Sequence, residues 1–451
     1  MISIIRLIPH QTKHFSLSPQ INNEFMQIGA LKALKFYNTI IKSDNYYCQL
    51  DKILTGACYL SNKSYSDTLY LILDVLIKVL NSAVKQPASI TPFIHMLTET
   101  TLLLWKRLAD DAYSNTYIMD IVQLLITGGN YDNFIAVSSK LVPVITSIFS
   151  MPEMMVEKVT AMTLLSSIFQ SFGELLNSKH PNGQELLLQI SGAVVGPMFQ
   201  IAVQYSEDGL MDAVIRTLKW YFAAVIKATN QQGGQFLHQL PVGSSNALHL
   251  SIQFILKMLS PSVNDISAQN IGGLVNLMVA SSFPLLIDQH LLSPLIHHVV
   301  ERLITAKLPD FQSGLIIVIC RLFLLDAAAT IELLHQTPLT SPPINRKPSS
   351  TALEFFLRLW SKFITHFMTE MENTIMLSAL SHLLLVGDPR VTNQLVPGEL
   401  ISKVKREGLR SAAKAKNNEE EWSEVPFVVK AFTVLVEELI KRIIEIMIEF
   451  V

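Results

Sequence analysis

Adjacent or closely spaced titratable residues are the first places to look for chemistry, and this chain has few. His297 and His298 are neighbours. On a helix their side chains leave the axis about 100° apart, so they cannot grip one metal from one face. They read as ordinary helix-surface histidines. His95, His335 and His382 have no acidic or cysteine partner at metal-ligand spacing. Asp110-Asp111 and Glu207-Asp208 fall at expected helix ends, where capping or solvation explains them better than paired acid–base work. Cys48, Cys58 and Cys320 form no framework and no metal spacing, so a reducing compartment is the natural setting. Asn62-Lys63-Ser64 matches a glycosylation acceptor, but nothing else indicates secretion. The chain carries no Gly-rich phosphate loop, no H-E-x-x-H, no C-x-x-C and no G-x-S-x-G. The sequence therefore predicts no catalytic residues, no metal and no cofactor. It predicts a binding protein, not an enzyme.

What must position a binding surface is a set of helices. A short phrase recurs in which apolar residues flank a proline. It appears as Ile90-Thr91-Pro92-Phe93-Ile94, Leu141-Val142-Pro143-Val144-Ile145, Val195-Gly196-Pro197-Met198-Phe199 and Leu292-Ser293-Pro294-Leu295-Ile296. The four prolines are 51, 54 and 97 residues apart, the last close to two periods. Proline is tolerated in the first turn of a helix, where its missing N–H would be unpaired anyway. Each phrase is accordingly expected to open a helix. A unit repeated at that spacing predicts an all-α, HEAT-type helical-repeat solenoid made of antiparallel helix pairs.

Composition fits a large apolar interior. Of 451 residues, 49% are hydrophobic and only 16% charged, and the net charge is −2. Such a balance gives no general attraction for a polyanion, so no direct nucleic-acid partner is expected. Leu186 to Ser206 and Ile266 to Ile287 are uncharged and long enough to span a bilayer. Both carry Gln or Asn, Ser and a proline, and charges such as Arg216, Lys219, Arg321 and Arg358 fall within other apolar helices. Inner helices of a stack explain these runs without membrane insertion. The Met151, Met154 and Met155 cluster is expected to serve as core filler and loop contact and not as a binding surface, and Trp220-Tyr221-Phe222 to fill core, although an exposed aromatic there would suit a peptide pocket.

The expected organisation is a repeat array over 1–336, a proline-rich connection over 337–350, a helix pair over 351–386, a long charged loop over 387–424 and an apolar terminal helix over 425–451. The terminal helix lacks the polar cap of a solenoid end, which suggests a cut array. The long loop is basic at Lys403, Lys405, Arg406, Arg410, Lys414 and Lys416, and acidic at Glu419, Glu420, Glu421 and Glu424. It is a candidate partner-contact loop, with a solvated linker as the plainer alternative.

Three stretches of the C-terminal third carry a likeness to a known family. The first is Ser350-Thr351-Ala352-Leu353-Glu354-Phe355 with Trp360, then Ser378 to Gly387. The second is Gly398-Glu399-Leu400-Ile401, Glu407-Gly408-Leu409-Arg410-Ser411 and Lys414-Ala415-Lys416-Asn417, closing at Trp422. The third is Val425-Pro426-Phe427-Val428-Val429-Lys430. Together with the proline phrases they make the chain resemble the second half of importin-β family nuclear transport receptors, the karyopherins, collinearly from about residue 20 to residue 440. The resemblance implies a carrier of protein cargo, core histones or ribosomal proteins among them. It implies recognition of nucleoporin Phe-Gly repeats and residence in cytoplasm, nucleus and the pores of the nuclear envelope. Release by the GTPase Ran is implied for the full-length receptor but is not expected of this chain alone, because the family carries its main Ran contact in amino-terminal repeats. The alternative is a HEAT-repeat scaffold in a complex unrelated to transport; a helical membrane protein and an enzyme are remoter readings.

Overall fold

The structure is a computed structural model. It describes residue 32 and residues 50–449 except 65, 85, 109–110, 129, 153–154, 176–182, 231, 340–350, 365–368 and 403–420. The described residues are overwhelmingly helical and fall into two compact units, Met1–Ala247 and Leu248–Val451.

In the first unit, helices succeed one another in pairs: α1 (Leu50–Lys63) with α2 (Ser66–Ala83), α4 (Ile94–Arg107) with α5 (Ala112–Thr127), α6 (Tyr131–Phe149) with α7 (Met155–Leu175), and α8 (Gly183–Gln204) with α9 (Asp208–Ala228). The short α3 (Pro87–Ile90) and a 3-10 turn at Thr91–Phe93 lead into α4. Each helix also packs on its counterpart in the next pair. One layer runs α1, α4, α6, α8; the other runs α2, α5, α7, α9. This two-layer stacking of hairpins is what a repeat unit produces when it cannot bury its apolar stripe alone. The seam between layers is lined by apolar side chains: Leu73, Val75, Ile118, Phe134, Val137, Leu165, Phe169, Val214 and Phe222 are fully buried. Thr217 on α9 donates its hydroxyl to the Met162 carbonyl of α7 at 2.9 Å, tying neighbours of one layer. A short helix, α10 (Gly233–Gln239), and a two-residue ladder of β1 (Pro241–Val242) with β2 (Ser245–Asn246) close the unit. Gly243, at φ +60°, supplies the left-handed residue this tight turn requires.

The proline phrases correct part of the sequence reading. Pro92 lies in the turn before α4, and Pro294 in the first turn of α14 (Leu292–Thr305), as expected. Pro143 and Pro197 instead lie inside α6 and α8, and Pro284 inside α13 (Ile271–Asp288). An interior proline removes one helix hydrogen bond and crowds the preceding turn, at about 3 kcal/mol. These helices continue because apolar residues on both sides of each proline are buried, for example Leu141 and Ile145 around Pro143. Pro143 itself faces solvent, so water can reach the carbonyl it leaves unpaired. The period is real; what recurs in α6 and α8 is a late-helix proline, not a helix start.

The second unit comprises α11 (Ala247–Met258), α12 (Asp265–Ala268), α13, α14, α15 (Pro309–Leu325), α16 (Ala327–Gln336), α17 (Ala352–Phe363), α18 (Glu370–Val386), α19 (Pro389–Thr392) and α20 (Phe427–Glu449). Here α13, α15, α18 and α20 follow one another in contact. The α13–α15 approach is close enough that a Cβ on Gly272 would lie 2.5 Å from the carbonyl carbon of Gly314. Several starts are capped by side chains: Asp326 for α16, Thr351 for α17, and a full Thr369/Glu372 capping box for α18.

The region expected as one loop over 387–424 contains regular structure among its described residues. β3 (Leu395–Ser402) pairs antiparallel with β4 (Glu421–Pro426), from Leu395 opposite Pro426 to Ser402 opposite Glu421. The pairing was hard to read from sequence because its two halves are separated by a charged insert and because Pro397 and Gly398 are poor strand formers. Two irregularities break its register. Arg358 on α17 fastens the hairpin, donating to the Leu395 carbonyl at 3.0 Å and to Glu424 at 2.9 Å.

Candidate protein-binding surfaces

Among the described residues no group of three or more His, Cys, Asp or Glu could hold a metal ion. His297 and His298 lie with ring centroids 5.9 Å apart, and His298 Nδ1 donates to the Pro294 carbonyl of its own helix. The thiols are poor nucleophiles: burial pushes Cys58 up to about 11 and Cys320 well above the ordinary thiol value. Cys48 lies outside the described residues.

Of the expected contact loop, Lys403, Lys405, Arg406, Arg410, Lys414, Lys416, Glu419 and Glu420 lie outside the described residues. Glu421 is the first residue of β4, opposite Ser402. Trp422, in the segment that carries the family likeness, sits in that strand with Lys362 Nζ 5.5 Å from its ring centroid. Met154 is likewise outside the described residues, while Met151 is exposed. The Trp220-Tyr221-Phe222 expectation divides: Tyr221 and Phe222 are fully buried, but Trp220 is 38% exposed on α9. It shares an exposed strip with Arg216 and Lys219.

A more developed surface lies on the α2–α5 layer. Tyr113, 73% exposed, meets Tyr70 edge-on at 6.1 Å, and Tyr117 stacks on Tyr70 at 6.2 Å. Tyr113 and Tyr117 are one turn apart on α5, and Tyr70 comes from the preceding hairpin. Asp111 locks the group. It caps α5 by accepting from the Tyr113 and Ser114 backbone N–H groups, and its other oxygen accepts from the Ser114 and Tyr70 hydroxyls, both at 2.7 Å. The Ser114 and Tyr70 hydrogen bonds hold the Asp111 carboxyl below its usual range. The same bond, with burial and the Asp111 and Asp67 charges, holds the Tyr70 hydroxyl above its usual value. Asp67 and Asp120 are exposed on the same two helices. Tyrosine faces beside carboxylates make a platform for cationic side chains, through cation–π contact and charge. The i, i+4 tyrosines were visible in the sequence; Tyr70 was not connectable to them without the layer.

Three helical stretches are long and apolar enough to cross a membrane: Tyr131–Phe149, Gly183–Gln204 and Asp265–Asp288. About half of each is buried (44%, 50% and 56%), within the unit to which it belongs.

No family model matches the chain. Among solved structures it is similar to the crystal structure of an engineered protein, at 11% identity and a TM-score of 0.32 over 96% of this chain and 97% of that one. A likeness at that level carries no functional argument.

Proposed function

We propose that the chain is a protein-binding helical array from a nuclear transport receptor of the importin-β type, most like the C-terminal half of importin-9. The reading is supported by hairpins stacked in two layers, together with the collinear resemblance that centres on Gly398 to Trp422. Its substrate is protein cargo with basic segments, such as core histones or ribosomal proteins. Nucleoporin Phe-Gly repeats are its second class of partner. Membrane insertion plays no part; the long apolar helices serve as inner helices of the stack.

The observation that carries a binding role is the Tyr70–Tyr113–Tyr117 platform with its carboxylates. It is a rigid aromatic surface on one layer, and tyrosine provides contact area at low entropic cost. Lysine or arginine side chains of a cargo segment would lie over the rings and near Asp67 and Asp120. Titration calorimetry with a basic histone-tail peptide should show binding that weakens with salt, and Tyr113→Ala with Tyr117→Ala should weaken it about tenfold or more. Equal binding by the double variant would remove the platform from the reading. The transport role is tested separately by capture on immobilised Phe-Gly repeats. A chain that binds basic peptide but no Phe-Gly repeat would be a HEAT-type scaffold instead.

A further inference from the structure

The outer face of the α2, α5, α7, α9 layer changes sign across the first unit. At one end Asp67 and Asp120, both exposed, flank the tyrosine platform of α2 and α5. At the other end α9, from Arg216 to Ala228, carries Arg216, Lys219 and Lys227 and no acidic residue. Arg216 is paired with Asp212 one turn back, at 3.0 Å. Lys219 is exposed and has no ion-pair partner among the described residues. Beside it lies the half-exposed Trp220, on the same stripe of the helix. Between the two ends runs α7, which packs on both α5 and α9 and has no charged residue from Val159 to Gly173. Its half-buried side chains there include Thr160, Thr163 and Ser167, which share one stripe. Each donates its hydroxyl to a carbonyl of its own helix, at 3.0, 2.9 and 3.3 Å. A chain lying over them therefore strands no hydrogen-bonding group. Thr and Ser also reach less far from a helix axis than Tyr or Trp, so the layer is low over α7, with aromatic residues standing on either side.

We propose that this face binds one extended peptide segment of mixed charge laid across α7, with basic side chains on the tyrosine platform and an acidic side chain at Lys219 beside Trp220. The proposal rests on the platform being a site for basic segments, and adds a second subsite of opposite sign. Charge complementarity selects the occupant. A uniformly basic segment would meet Lys219 at its far end, and a uniformly acidic one would meet Asp67 and Asp120. A segment with both signs satisfies both ends. Spacing then follows from the stack. Packed helices lie about 8–10 Å apart, so α5 and α9, with α7 between them, are separated by roughly 16–20 Å. An extended chain advances about 3.3 Å per residue, which sets base and acid roughly five or six residues apart in the segment.

Titration calorimetry of the full chain at low salt tests the two-ended face with synthetic peptides that share one basic block. The first peptide carries glutamate about six residues from the block, the second carries serine in that place, and the third carries its glutamate about two residues away. The first should bind about threefold tighter than the second, and the third should gain nothing. Lys219→Glu, at an exposed position that leaves helix content unchanged, should turn the preference round, so that lysine in the distal place now binds tighter than glutamate. Equal affinity for all three peptides on a chain that binds them would overturn the proposal and leave the platform standing. So would a Lys219→Glu variant that keeps the parent's order of preference. A chain that binds none of the peptides loses the platform, and this proposal with it. Single-stranded RNA held at Lys219 and Trp220, with no response to the placing of glutamate, would overturn it as well.

Discussion

Removing Asp265 tests the packing logic of the second unit most sharply. Arg302, on α14, is 2% exposed in its side chain, and its Nη2 donates to Asp265 Oδ1 and to the Val263 carbonyl, both at 2.7 Å. The guanidinium also lies over the Phe311 ring, 5.1 Å from its centroid. Burial pulls the Arg302 pKa down and the Asp265 charge opposes it. Asp265 Oδ2 accepts from the Lys307 and Leu308 backbone N–H groups at 2.7 and 3.2 Å, so the carboxylate joins α12 to the connection before α15. Asp265→Ala leaves a buried cation without its counter-charge, which costs about 3–5 kcal/mol. Lys307 is exposed and water can replace its bond; the half-buried Leu308 N–H adds up to about 1 kcal/mol. Urea unfolding followed by circular dichroism should register a loss of about 4 kcal/mol, a large share of ordinary domain stability. Arg302→Met removes the cation and fills the space, and should cost about 1–2 kcal/mol. Adding Asp265→Ala to Arg302→Met should then cost far less than Asp265→Ala alone. A loss below about 1 kcal/mol for Asp265→Ala, or strict additivity in the double variant, would show that the ion pair is not what holds this junction.

Three further outcomes are expected. Gly272→Ala should unfold or grossly destabilise the second unit, since its Cβ would strike backbone atoms of Gly314, whereas Gly314→Ala, whose nearest neighbours are 3.8 and 4.0 Å away, should be tolerated; thermal unfolding of the pair separates them. Asp111→Ala should cost about 1 kcal/mol through loss of the α5 cap. Because the folded state holds Asp111 below its unfolded value, that contribution is full above the ordinary carboxylate range and fades as pH falls through the folded value, so the urea midpoints of parent and variant should converge in acid. Reversing Lys414 and Lys416 to glutamate should leave helix content and thermal stability unchanged while altering partner association in a salt-dependent way; a collapse of the fold would show that the segment is structural.

The helices were legible because their stripes are long and regular. Leu69, Ile72, Val75, Leu76, Val79 and Leu80 repeat at helical spacing and are all buried on α2. The all-α class followed from many such segments. Proline placement was less legible, because local chemistry favours the first turn while packing on both sides of Pro143 and Pro197 keeps the helix going. The strand pair was hidden by the charged insert between its halves. The tyrosine platform was legible only in part: Tyr113 and Tyr117 announce themselves one turn apart, but Asp111 was read as a helix-end residue with no link to Tyr70. That link exists only because equivalent helices of successive hairpins lie side by side.

The β3–β4 ladder has a consequence for how this chain can vary in length. Ser402 and Glu421 are partners across the ladder, so whatever the chain does between them, it returns to the point it left. The entropy of closing such a segment grows only with the logarithm of its length, so doubling the insert costs about 0.6 kcal/mol. The hairpin is fastened independently by Arg358, Glu424 and the buried Phe427 that follows it. Insertions, deletions and grafted peptides at this position should therefore be nearly free thermodynamically, while a single-residue insertion inside β3 or β4 would shift every cross-strand pair. The ladder thus separates the length of the segment it closes from the folding of the unit that carries it.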